Sequence, residues 1–196
     1  MFIMKGLLLI LILTFSFQSL TKADDITDFE IEGMSIGDSL LKFYSKNEIL
    51  KKLQKTQYPN EKYIIINLRL KNYEKYSWVQ IDYKKNDDKF KIASIAGTME
   101  VNADECYKLQ KEISSEFKNI FPNSSRQERF MKKSIDKTGN SISKNIQFFL
   151  KSGDVVQIAC DDYTDKMSKE KNFPDVLMVS LASKKYFDFM INEAFN

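Results

Sequence analysis

The chain has 196 residues, 30 basic side chains against 27 acidic ones, and no histidine. Without histidine there is no His-based triad, no Cys–His dyad and no His-containing metal centre, and two cysteines cannot supply a four-thiolate zinc site. A net charge of +3 with both signs mixed gives no footprint for nucleic acid or an anionic membrane, and the length suits one domain.

The first element is an expected signal peptide over residues 1–23. Lys5 gives a basic start, GLLLILILTFSF (6–17) is an apolar run, and Thr21 and Ala23 are the small residues before a cut. A spanning helix needs roughly 20 apolar residues, and this run is shorter. Cleavage would leave residues 24–196 and remove Lys5 and Lys22, lowering the net charge by two. The expected location is therefore periplasmic or secreted, with no membrane span after cleavage.

DFEIEGMSIGDSLL (28–41) follows. Phe29 and Ile31 read as a strand, Gly33 and Gly37 as hinge points, and Asp38 as a helix start. Ser45 and Glu48 have the spacing of a capping box, so the pattern predicts two short helices, 38–44 and 46–55. A three-strand meander comes next. In YIIINLRL (63–70), Ile64, Ile66, Leu68 and Leu70 share one parity. In SWVQIDYK (77–84), Val79, Ile81 and Tyr83 oppose Gln80, Asp82 and Lys84. In the third run (90–101) the parity changes between Ile92 and Ile95, which predicts a bulge near Ala93.

Asn102 can cap a third helix whose stripe is Cys106, Leu109, Ile113, Phe117 and Ile120, closed by Pro122. Residues 122–144 lack periodicity and read as a long loop with a helical turn at 126–133. Alternation returns at Ile146, Phe148 and Leu150. KSGD (151–154) is a hairpin turn, and Val156, Ile158 and Cys160 alternate back. A polar excursion (161–173) precedes a strand at 176–182. Ser183 then caps a last helix with the face Tyr186, Phe187, Met190, Ile191 and Ala194.

The fold class is therefore α+β. It consists of two helix-plus-three-strand antiparallel units, about 28–101 and 102–196, packed as one domain with a C-terminal helix. There is no βαβ alternation and no glycine-rich phosphate loop.

Cys106 and Cys160 both point toward the core. In an oxidising compartment they read as a disulfide, worth on the order of 4 kcal/mol in the chain-entropy picture. Two inert thiols or a redox pair are the alternatives. Arg126, Arg129 and Lys133 would share one face of a helical turn and form a candidate site for an anion or an acidic partner. Asp161, Asp162 and Asp165 lack the spacing of a calcium loop and read as a solvated loop. Trp78, the one tryptophan, stands on the polar parity of its strand. No catalytic residue, metal ligand or cofactor stands out.

DFEIEGMSIGDSLL, WVQIDYKKND, ADECYKLQKEI and FFLKSGDVVQIACDDY resemble a family of short secreted proteins of marine alphaproteobacteria. The likeness runs through most of the chain after the signal. It implies a secreted location and a Cys106–Cys160 pairing, and it carries over no catalytic or binding residues. More loosely, residues 28–101 are similar to the outer-membrane-assembly small lipoproteins and the β-lactamase-inhibitor proteins, a likeness of fold alone. The expected function is a non-enzymatic binding domain acting on a protein or envelope component. The rival expectation is an envelope enzyme or small-ligand binder using carboxylates or the basic 126–137 segment. The sequence gives no nucleic-acid partner and no oligomeric state.

Overall fold

The computed structural model describes residues 25–54, 58–68 and 75–196. The signal peptide expected over 1–23, and Leu70, lie outside them. The first half contains helix α1 (Lys46–Lys51) and strands β1 (Leu53–Gln54), β2 (Tyr63–Leu68), β3 (Trp78–Lys84) and β4 (Ile92–Glu100). The second contains α2 (Ala103–Ile120), β5 (Ser125–Lys132), β6 (Ile142–Phe149), β7 (Val155–Asp162), α3 (Asp165–Lys171), β8 (Val176–Ala182) and α4 (Lys184–Asn192). The strands make one antiparallel sheet in the order β1-β2-β3-β4-β8-β7-β6-β5. Two meanders thus meet at their last strands, β4 and β8. The α+β class and the C-terminal helix match the expectation, although each half contributes four strands and not three.

The opening stretch departs from its expectation in two places. Only a single bridge, Ile31 to Met34, forms where a strand is predicted. Asp38 caps no helix, because its Oδ2 accepts from Ser35 N at 3.1 Å and its Oδ1 pairs with Lys42. The cap is Ser39, whose Oγ accepts from Leu41 N and opens a 3-10 turn, Leu40–Lys42. Gly33 and Gly37 have φ of +74° and +87°, the left-handed region where glycine carries no Cβ penalty. These turns fold the segment under the sheet, so that Phe29, Ile31, Met34 and Leu40 are buried. The Ser45–Glu48 capping box starts α1 as expected.

α2 lies beside this segment on the same sheet face. Asn102 Oδ1 accepts from Glu105 N at 2.9 Å and starts the helix. Cys106, Ile113 and Phe117 enter the core, and the Phe117 ring meets Phe29, Phe121 and Phe148. A disulfide joins Cys106 of α2 to Cys160 of β7 across a Cα separation of 5.8 Å. Deeper along the helix, Gln110 Nε2 donates to the carbonyls of Lys144 and Ile158 at 2.8 and 3.0 Å. One covalent and two polar ties therefore fix α2 over β6 and β7. On the same face Gly97 lies against Tyr76. A Cβ there would sit 2.6 Å from that ring, so glycine is what lets the ring seal this end of the core.

α4 covers the opposite face. Ser183 caps it as expected. Phe187 meets Phe149 of β6, Tyr186 and Phe189 meet Tyr63 of β2, and Glu193 pairs with Lys62 at 2.7 Å. The helix therefore crosses the strands and closes over one band of the sheet. Ile191, expected on the buried side, is exposed. The bulge predicted near Ala93 is present: Asp82 pairs with Ser94 and Tyr83 with Ile92, leaving Ala93 as the extra residue.

The segment 122–144 overturns its expectation. It holds no helical turn but strand β5, paired over its whole length with β6. All eight β5 residues are exposed, so no burial period marks them in the sequence. Asp136 then knots the β5–β6 connection. It accepts from Thr138 N and Oγ1 and from Ser141 N and Oγ, at 2.6–3.0 Å. These four donors hold its carboxyl well below the usual carboxylate range, with the Ser141 and Thr138 hydroxyls first. The excursion 161–173, read as loop, contains α3, capped by Thr164. Among the described residues no helix is long and apolar enough to cross a membrane.

Candidate functional site

Two surfaces follow from this architecture. The first is a groove of about 610 Å³ between α2 and the β5–β6 edge. Lys111 and Lys118 line it from the helix, Arg126 and Lys144 from the strands, and Glu128 is its one acidic residue. Arg126 Nε donates to Ser114 Oγ at 3.3 Å, while its Nη2 pairs with Glu128. Tyr107 closes one end, and its hydroxyl donates to Asp162 Oδ2 at 2.9 Å. Burial, then that carboxylate, pushes the Tyr107 phenol upward, so it is a fixed donor at any ordinary pH.

The outer wall of this groove is β5, a sheet edge. Lys133 N donates to Ser141 O at 2.9 Å, which makes 133 and 141 a hydrogen-bonded pair. Alternation along the ladder then turns the amides and carbonyls of Arg126, Glu128, Phe130 and Lys132 outward, away from β6. Phe130 is 67% exposed and Met131 54%. The other edge, β1, is only two residues long. Short edges and charged edges both discourage unwanted pairing, and here the two sides of the sheet use different devices.

The strand geometry separates residues that the sequence reading puts together. Arg126 and Arg129 are three apart on a strand, so they lie on opposite faces. Arg126 belongs to the groove. Arg129 Nη2 donates to Gln127 Oε1 at 3.2 Å on the other face. Lys133 forms an ion pair with Asp161 and stands over the Tyr163 ring. The carboxylates of the 161–165 segment are likewise divided. Asp161 takes Lys133 and Ser143, Asp162 takes Tyr107, and Asp165 takes Lys169. Among the described residues no group of acids or cysteines is placed to hold a metal.

The second surface is the part of the opposite face beyond α4, where Ala96, Thr98, Asn145 and Gln147 are buried. It is bounded on one side by α4 and at the far end by Lys133, Asp161 and Tyr163. The row nearest α4 runs Gln80, Ala96, Ser180, Gln157 and Gln147 across β3, β4, β8, β7 and β6. The next row starts at Trp78, which is half-buried, and passes Thr98 and Met178 to Asn145.

Under α4 itself lies Asp82, 1% exposed. Burial pushes its carboxyl up to about 7, against the Gln80 amide and the Tyr186 and Ser94 hydroxyls, which favour the charged form. Its Oδ1 makes no hydrogen bond. A perturbed carboxyl is a common mark of catalysis. This one is closed over by Tyr186 and is not placed to touch a substrate. Sequence reasoning put Asp82 on the solvated parity of β3. It missed the burial because the cover comes from a helix a hundred residues later.

No protein-family model, curated protein or solved structure matches this chain. Its function is therefore argued from these surfaces.

Proposed function

We propose that this chain is a secreted or periplasmic interaction domain that takes an extended, acidic segment of a partner protein along β5. The observation that carries this reading is the fully exposed eight-residue edge strand flanked by a cationic groove. Its outward amides and carbonyls offer a ladder to one more strand, and the alternate side chains of that strand would fall into the groove. Lys111, Lys118 and Lys144 favour acids there, and Phe130 and Met131 supply apolar contact. The secreted location rests on the sequence pattern of residues 1–23 and is in keeping with the disulfide.

Photo-crosslinking in intact envelopes tests this, with a benzophenone side chain in place of Phe130. The expected result is a protein adduct that disappears in Glu128→Pro and in Lys118→Glu. Proline at 128 removes an outward amide and leaves the β6 ladder whole, so folding is retained. Absence of an adduct, or an adduct indifferent to both substitutions, refutes the reading.

A further inference from the structure

We infer that β5 is covered by the β5 strand of a second copy of this chain, paired antiparallel about a two-fold axis at Phe130. The inference rests on the same edge as the proposed function and supplies its regulation, since a second copy and an acidic segment compete for one ladder. A long exposed edge strand with apolar side chains is a site of unwanted pairing unless something covers it. β1 avoids this by ending after two residues, but β5 runs for eight, with Phe130 67% exposed and Met131 54%.

The register decides whether a copy fits. Arg126, Glu128, Phe130 and Lys132 turn their amides and carbonyls outward, so these residues must meet one another across the axis. Pairing about Glu128 sets two carboxylates face to face. Pairing about Arg129 sets two guanidiniums together and Arg126 opposite Lys132. Pairing about Met131 places Arg129 opposite Lys133. Pairing about Gln127 matches Arg126 with Glu128, but carries Phe130 and Met131 beyond the start of the copy's strand at Ser125. Pairing about Phe130 sets no like charges opposite each other. Glu128 then faces Lys132 twice, the two Phe130 rings meet at the axis, and Met131 lies against the aliphatic stem of Arg129. Within its own chain Glu128 is shared between Arg126 and Lys144, and the copy's Lys132 would join that network. The overlap spans only residues 127–133. Small interfaces are weak and exchange readily, which suits a cover that a partner must displace.

The test is sedimentation equilibrium of the purified folded chain, from micromolar to millimolar concentration. The expected result is a monomer–dimer equilibrium. Glu128→Lys and Lys132→Glu should each raise the dissociation constant by about ten-fold or more, because two pairs change from attraction to repulsion at once. Circular dichroism should be unchanged in both. Mixing the two variants should restore association, because Glu128→Lys on one chain then faces Lys132→Glu on the other in both pairs. Three results would overturn the inference: a monomer at every concentration, a dimer indifferent to both charge reversals, or a mixture that associates no better than its components. The two readings of the edge fail separately. A dimer without an envelope adduct removes the acidic partner alone, and an adduct from a chain that stays monomeric removes the second copy alone.

Discussion

Across the middle of the sheet, one row on the α2 side reads Val79, Gly97, Val179, Ile158 and Ile146. One residue further along each strand, the other side reads Gln80, Ala96, Ser180, Gln157 and Gln147. The same backbone carries both rows, so strand geometry does not distinguish them; the cover does. The first row is closed by α2, by the folded 25–44 segment and by Tyr76 over Gly97. The second holds Gln147, 8% exposed, whose Oε1 makes no hydrogen bond. Apolar burial at about 25 cal/mol per Å² makes the first face the source of stability. Polar groups half-satisfied on the second are a cost to stability, and such costs persist where a protein uses the groups.

This contrast can be attacked at its strong side first. Phe117 is 1% exposed and touches three other rings, so Phe117→Ala should destabilise the chain by about 4 kcal/mol in urea unfolding. A loss under about 1 kcal/mol would mean that the α2 face is not where the stability lies.

Asp82 tests the band between the two regimes. Its carboxyl titrates near 7 when folded and near 3.8 when exposed. The folded state therefore holds the proton more tightly, and the contribution is fully present below pH 4. It is lost as pH rises toward 7, by about 3–4 kcal/mol at most. Asp82→Asn should flatten this part of the stability–pH curve, measured by denaturant midpoints from pH 4 to pH 8. A curve with the same slope in wild type and variant would show that Asp82 is not the group responsible.

The smallest expected effect is on the amide row. Gln157→Leu should cost about 1–2 kcal/mol, because the buried Gln147 Nε2 loses its acceptor. A thermal shift as large as that of Phe117→Ala would erase the contrast between the two faces.

Much of the apolar side was legible in the sequence, for a physical reason. A half-covered strand writes its burial as alternation, so β3, β6, β7 and β8 can be read from parity, as can the bulge at Ala93. α2 announces itself by its stripe and by Asn102. β5 could not be read this way, since a strand exposed on both faces has no burial to encode. Its charges mimic a loop, and that is why Arg126 and Arg129 were grouped although the pleat sends them to opposite faces. Asp82 illustrates the complementary failure. Its neighbours Gln80 and Lys84 have the parity of solvent, and only the late arrival of α4 buries it. The amide band was present in the sequence as single glutamines on separate strands. Nothing short of the register brings Gln80, Gln157 and Gln147 into one line.

The position of β8 has a consequence for how the molecule comes into being. It is the eighth strand along the chain and the fifth across the sheet. Until residues 176–182 are in place, β4 and β7 are both raw edges, and the two meanders are separate sheets with no shared ladder. Cys106 and Cys160 can already meet at that stage, since α2 and β7 precede β8. The β4–β8 ladder is the seam between the two meanders. Forming it joins residues far apart in the chain, which is slow by the entropy of the intervening loop, and leaves the β4 border exposed until it is made. A chain truncated before Val176 should accumulate as aggregates rather than as a smaller folded unit.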